Sequence, residues 1–131
     1  MRNRLFGILV ALPVALWSCA SDKPLVSRDP FVGPPIRVES AGPNHIIALT
    51  APSSGWGIAF DQSHLHFDYA EVFITVTRPD PAVMHTQAQV VQHLDTSVAT
   101  ERPLEVWAKV EDFGSKTHAP YAKAVERAPA R

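Results

Sequence analysis

The stretch Val72-Phe73-Ile74-Thr75-Val76-Thr77 decides the fold of this chain. Branched aliphatic side chains alternate with Phe73 and two threonines, which is the two-residue period of a β-strand. Residues branched at Cβ suit the pleated surface of a sheet. The run stops at Arg78-Pro79-Asp80-Pro81, because proline has no N–H to donate to a ladder. We therefore predict a strand that ends at this proline-rich stretch.

Runs with the same period flank this strand on both sides. They comprise Trp56, Ile58 and Phe60; Leu65, Phe67 and Tyr69; and Leu104, Val106, Ala108 and Val110. Residues 45–112 carry no helical stripe, and turn signals separate the runs at near-regular spacing. We predict an all-β fold, a small antiparallel β-sandwich of immunoglobulin-like or related type with about six to eight short strands. Trp56, Leu65 and Phe67 are expected to point into its core.

Composition shifts divide the chain into segments around that sandwich, which we assign to residues 34–113. Residues 19–33 are predicted to be a tether, because prolines favour extended backbone and resist both helix and sheet. Residues 114–131 are predicted to be a tail or a short helix over Ala119–Ala128, with Pro120 in its first turn.

The first eighteen residues have the three-part order of a secretory signal. Arg2 and Arg4 are positive, Leu5–Leu16 is apolar and uncharged, and Ser18 is a small residue before the expected cleavage point. We predict that 1–18 is a signal helix that is removed on export. The alternative is a transmembrane or core helix, but a spanning helix needs an apolar run of about 18 residues or more.

Leu16-Trp17-Ser18-Cys19 closes the signal and resembles the lipobox of bacterial lipoproteins. The resemblance implies that Cys19 receives a diacylglycerol group and that the signal is cleaved before Cys19; in this family the new amine is often acylated. Two or three acyl chains hold a protein stably on one leaflet, whereas one chain holds it only marginally. Ala20 at the following position implies an outer-membrane lipoprotein facing the periplasm if the organism is diderm.

Cys19 is the only cysteine in the chain, so an intramolecular disulfide is excluded. Lipidation accounts for a lone thiol in an exported protein, and an intermolecular disulfide is the alternative. Without residues 1–18 the chain carries ten basic and thirteen acidic residues, a formal charge of −3. This mildly acidic charge provides no positive field to attract nucleic acid, so we predict no nucleic-acid partner.

A second resemblance concerns the sandwich itself. Gly55-Trp56-x-Ile58-x-Phe60, then Val72 through Pro79, then Pro103-x-x-Val106, is similar in layout to the small accessory domain of PrcB-type protease complexes. The shared feature is the positions at which the predicted strands begin and end across residues 54–110. It supports the fold and implies no activity.

The candidate metal ligands are His64, His66 and Asp68. On a strand these three side chains would share one face, and imidazole and carboxylate groups bind zinc or copper. His85 or His93 would complete the site from a neighbouring strand. The alternative is a solvated sheet face without a ligand.

Trp107 is the candidate partner contact, because it shares a strand face with Glu105, Lys109 and Glu111. The alternative is that Trp107 packs beneath the tether or the C-terminal segment. We find no nucleophile elbow and no phosphate-binding glycine loop, and we predict no catalytic residue and no cofactor. The leading hypothesis is a non-enzymatic binding or assembly module that acts on an envelope protein; a periplasmic metal-binding protein and a small envelope enzyme are the alternatives.

Overall fold

The computed structural model describes residues 23–127 and contains eight β-strands over that range. In chain order they are β1 (Val26–Pro30), β2 (Ile36–Glu39), β3 (Asn44–Ala51), β4 (Gly57–Leu65), β5 (Ala70–Thr77), β6 (Val90–Ala99), β7 (Leu104–Glu111) and β8 (Tyr121–Val125). The all-β prediction is confirmed. The predicted signal segment 1–18 and Cys19 lie outside the described residues. Within those residues, no helix is long and apolar enough to cross a membrane.

The strands form two sheets that pack face to face. One sheet has five strands in the order β1-β8-β7-β5-β4, and the other has three in the order β2-β3-β6. The pairs β5–β7 and β1–β8 are parallel and the remaining pairs are antiparallel. β5 and β7 run parallel because the chain between them crosses to the smaller sheet and forms β6.

The core lies between the sheets and is centred on β5. Its inward side chains, Val72, Ile74 and Val76, are fully buried. They pack with Leu104, Val106 and Ala108 of β7 and with Ile47 and Leu49 of β3. Phe73 and Thr75, on the other face of β5, are also buried, at 2% and 7% exposed. β5 is therefore covered on both sides, which fits its nearly continuous apolar and β-branched sequence.

The predicted tether boundary is wrong at β1. This strand lies inside the predicted tether 19–33 and pairs with β8, so the sheet begins at Val26 rather than at residue 34. β1 is an edge strand and Pro30 is its last residue, a position where the missing N–H costs no ladder bond.

The predicted tail or helix at 114–131 is wrong over β8. Tyr121–Val125 is a strand between β7 and β1, and Ala124 and Val125 pack against the core. A helix of about ten residues is marginal by itself. As a strand, this segment instead forms backbone hydrogen bonds with β7 on one side and β1 on the other.

The expected inward placement is wrong for Phe67, which is 103% exposed, whereas Leu65 faces inward as expected but is still 68% exposed. Leu65 pairs with the buried Ala70 and points to the inner face, but it lies on an edge strand at the rim of the sheet. β4 ends at Leu65, so Phe67 lies in the turn beyond it. Trp56, the expected core anchor, is half-buried and packs against the core cluster of Leu49, Ala51 and Val76.

Strand register sorts the loops into two ends. Val26 pairs with Tyr121, Thr77 with Gly57 and Glu111, and Ala51 with Val90. Residues 23–25 and the loops 52–56, 78–89 and 112–120 therefore lie together, and we call this the entry end. The loops 40–43, 66–69 and 100–103 form the far end.

Candidate functional site

The three candidate metal ligands do not come together. His64 is on β4 and packs edge-on against Phe73, with ring centroids 5.6 Å apart. His66 lies in the turn after β4, where its Nε2 is 2.8 Å from Glu71 Oε2 and its ring stacks on Tyr69 at 4.3 Å. Asp68 lies farther along the same turn, with a side chain that is 68% exposed.

The two further histidines do not complete a site either. His93 is on the exposed face of β6, with Nε2 3.6 Å from Glu39 Oε2. His85 is in the loop between β5 and β6, and its ring lies so close to Gly55 that a Cβ there would sit 2.6 Å from ring carbons. Among residues 23–127, no three His, Cys, Asp or Glu side chains are arranged to hold a metal ion.

Trp107 lies on the outer face of the five-stranded sheet and is half-buried. Its ring stacks with Phe73 at 6.2 Å, and Lys123 Nζ of β8 lies 5.0 Å from its centroid. Residues of β1 and Lys123 line a cleft of about 510 Å³ beside it. Lys123 of the C-terminal strand thus lies over the ring, while Trp107 also lines the adjoining cleft.

A β-bulge turns Asp61 toward the same outer face. Phe60 pairs with Ile74 and Gln62 with Phe73, so Asp61 is an extra residue in β4. Its carboxylate accepts hydrogen bonds from Thr75 Oγ1 at 2.5 Å and from the Tyr121 hydroxyl at 2.8 Å. These bonds join β4, β5 and β8 across the sheet.

Sequence reasoning missed this bulge, although the chain carries a signal for it. Large apolar residues occupy even positions from Trp56 through Phe60 and odd positions from Leu65 through Tyr69. A single strand changes phase in this way when one residue is inserted.

The pKa of Tyr121 is raised above its ordinary value of 10.0, first by burial and then by the hydrogen bond to Asp61. The pKa of Lys123 is also raised, mainly by its hydrogen bond to Glu105. A raised pKa means that the unfolded chain loses the proton first as pH increases. Both groups thus stabilise the fold fully below pH 10 and progressively less above it.

We expect Tyr121→Phe to weaken this alkaline loss of stability. Phenylalanine removes the group that ionises, and the lost hydrogen bond lowers the free energy of unfolding by about 1 kcal/mol at neutral pH. The measurement is urea unfolding at a series of pH values from neutral to strongly alkaline. Tyr69→Phe is the matched control. Its free energy of unfolding should fall with increasing alkaline pH as steeply as that of the parent. An identical alkaline slope for Tyr121→Phe and the parent would contradict the assignment.

The charges of the outer face are largely compensated. Glu105 is only 6% exposed and lies 3.1 Å from Lys123 Nζ and 3.7 Å from Arg127 Nη2. Lys109 Nζ is 2.9 Å from Glu111 Oε1. Each buried carboxylate therefore has a cationic partner, and removal of that partner would leave an uncompensated buried charge.

One serine–histidine pair has the spacing of a nucleophile and its base. Ser40 Oγ is 2.7 Å from His45 Nδ1, but His45 is only 1% exposed and its Nε2 lies 2.7 Å from the carbonyl oxygen of Arg102. A substrate has no path to this ring, and a carbonyl rather than a carboxylate orients it. We assign the pair a structural role.

Two free strand edges lie next to each other on one side of the sandwich. Within the described residues, β4 pairs only with β5 and β6 only with β3. A cleft of about 370 Å³ lies between them, lined by Phe60, Ser63 and Leu65 of β4 and by residues 95–98 of β6. Phe60 is 42% and Leu65 is 68% exposed there. The cleft offers unpaired backbone groups beside exposed apolar side chains.

Comparisons of the chain with models of protein families, with curated proteins and with solved structures gave no match.

Proposed function

We propose that this chain is a lipid-anchored protein of the bacterial cell envelope whose sandwich is a non-enzymatic binding module. It takes an extended segment of an envelope protein along the free edge of β4. The observation that carries the proposal is the adjacent free edges of β4 and β6, with a cleft between them in which Phe60 and Leu65 are exposed.

The edge of β4 is suited to strand addition. The strand is nine residues long, and an edge strand presents a row of unpaired N–H and C=O groups. An added strand makes main-chain hydrogen bonds, and side-chain pockets supply its specificity. Full burial of a side chain such as Leu65 contributes about 1.5–3 kcal/mol. A partner that covers Leu65 and Phe60 therefore gains substantial affinity from two contacts.

The anchor half of the proposal depends on Cys19. The resemblance to a lipobox is the basis for proposing a lipid on Cys19 and an export signal before it. Ala20 favours the periplasmic face of the outer membrane in a diderm organism. Lys23, the first residue that the structure describes, is only four residues beyond Cys19. A lipid on Cys19 would therefore keep the module close to the membrane.

We expect Leu65→Lys to reduce partner capture about tenfold or more, because lysine on an edge strand opposes strand addition. The measurement is crosslinking in intact envelopes, purification of the lipidated protein and quantitative mass spectrometry. Leu65 is already 68% exposed, so the fold should tolerate the change.

Val32→Lys is the matched control, because Val32 is 85% exposed and lies between β1 and β2, away from the β4 edge. It should leave capture unchanged. Trp107→Ala tests the other candidate contact. Capture that survives Leu65→Lys but disappears with Trp107→Ala would move the binding surface to the outer face and overturn the edge assignment.

A further inference from the structure

Exposed apolar side chains gather at the entry end of the sandwich. Met84 is 99%, Phe113 is 58% and Leu25 is 65% exposed. They come from three distant parts of the chain: the loop 78–89, the loop 112–120 and the segment before β1. The strand register brings all three to one end, and Val83, at 53% exposed, adds to it.

The bases of these loops are tied to the sandwich. The Arg78 N–H donates to the carbonyl oxygen of Glu111 at 2.8 Å, and the Arg78 guanidinium lies 2.9 Å from Asp112. The Ser54 N–H donates to the carbonyl oxygen of Thr86 at 3.2 Å. The apolar tips are thus presented by loops whose backbones are hydrogen-bonded to neighbouring elements.

The distance to the anchor is short at this same end. Cys19 is four residues before Lys23, which spans at most about 14 Å of extended chain. The pairing of β1 with β8 shortens the free segment, since the carbonyl oxygen of Leu25 already accepts the Tyr121 N–H at 2.8 Å. A lipid on Cys19 therefore holds the entry end, and not the far end, against the bilayer.

We propose that the entry end rests on the lipid surface, with Met84 and Phe113 inserted at the boundary between headgroups and acyl chains. The inference relies on the lipid anchor of the proposed function and names a second contact for it. Apolar groups of peripheral proteins bury about 5–10 Å into this boundary. Lys23 and Lys116 lie at the same end and suit anionic headgroups, but Asp80 lies there too and Asp112 is paired with Arg78, so the apolar side chains carry the contact. The β4 edge runs away from the membrane and remains open to a partner.

The chain offers a clean way to test this contact. Cys19 is the only cysteine, so an acylated protein has no free thiol and one introduced cysteine takes a single label. Met84→Cys and Phe113→Cys carry the label at the entry end. Phe67→Cys is the matched control, because Phe67 is 103% exposed but lies in the far-end turn.

The experiment uses the full lipidated protein reconstituted in vesicles of phosphatidylethanolamine and phosphatidylglycerol, with an environment-sensitive fluorophore on the cysteine. We expect labels at 84 and 113 to emit at shorter wavelength than the label at 67 and to be quenched several-fold less by aqueous iodide. Equal quenching at all three positions in protein that floats with the vesicles would overturn the membrane contact and leave the anchor intact. Protein that fails to float, or a parent chain that takes the label at Cys19, would overturn both proposals.

Discussion

His45→Ala is expected to lower the free energy of unfolding by about 3 kcal/mol, the largest stability loss that we predict for a single polar residue. His45 is 1% exposed, so its removal leaves a cavity in the core. The change also leaves two half-buried polar groups, Ser40 Oγ and the Arg102 carbonyl oxygen, without their partner. The measurement is urea unfolding of the mature protein, monitored by tryptophan fluorescence.

The hydrogen bonds of His45 define its tautomer. The carbonyl oxygen of Arg102 can only accept, so His45 Nε2 carries the proton and donates to it over 2.7 Å. In the neutral ring, Nδ1 then accepts from the Ser40 hydroxyl, also at 2.7 Å. The backbone carbonyl of His45 accepts from Thr96 Oγ1 at 2.8 Å. One residue thus joins the loops 40–43 and 100–103 of the far end to β6.

The control for this prediction is Ser40→Ala, which should lower the free energy of unfolding by only about 1 kcal/mol because the ring and its bond to Arg102 remain. A loss of less than about 1 kcal/mol for His45→Ala would contradict the assigned role.

Cys19→Ser is expected to abolish membrane retention of the mature chain. Serine lacks the thiol that the proposed diacylglycerol transfer requires, so the variant should accumulate as precursor or leave the membrane. Each buried methylene of an acyl chain contributes about 0.8 kcal/mol, which makes the difference between two or three chains and none very large. The measurement is membrane fractionation with immunoblotting. Ser21→Ala is the control and should fractionate like the parent. A Cys19→Ser protein that is still cleaved and membrane-bound would contradict the proposal that a lipid on Cys19 anchors the chain.

The fold was predictable where a strand carries its own pattern. β5 and β7 carry aliphatic residues at every second position over most of their length, and that period alone predicts both strands. β1 and β8 were not predicted, because the composition of each suggests a tether or a helix and only pairing with a distant strand makes it extended. The parallel pairing of β5 with β7 likewise depends on where β6 goes.

The candidate site was less predictable, for related reasons. The metal hypothesis assumed that one strand runs through Asp68, but β4 ends at Leu65 and the remaining two ligands lie in a turn. The outer-face position of Trp107 followed from alternation, whereas its cover by Lys123 required β8. Free edges are a property of strand order, and no local pattern reveals that β4 and β6 end up side by side.

The most direct test of the account is the intact mass of the mature protein extracted from membranes. We expect a chain that begins at Cys19 and carries a diacylglyceryl group with a further acyl chain on its amine. A chain that still begins at Met1, or one with an unmodified thiol at Cys19, would contradict the claim that this β-sandwich is a lipid-anchored module.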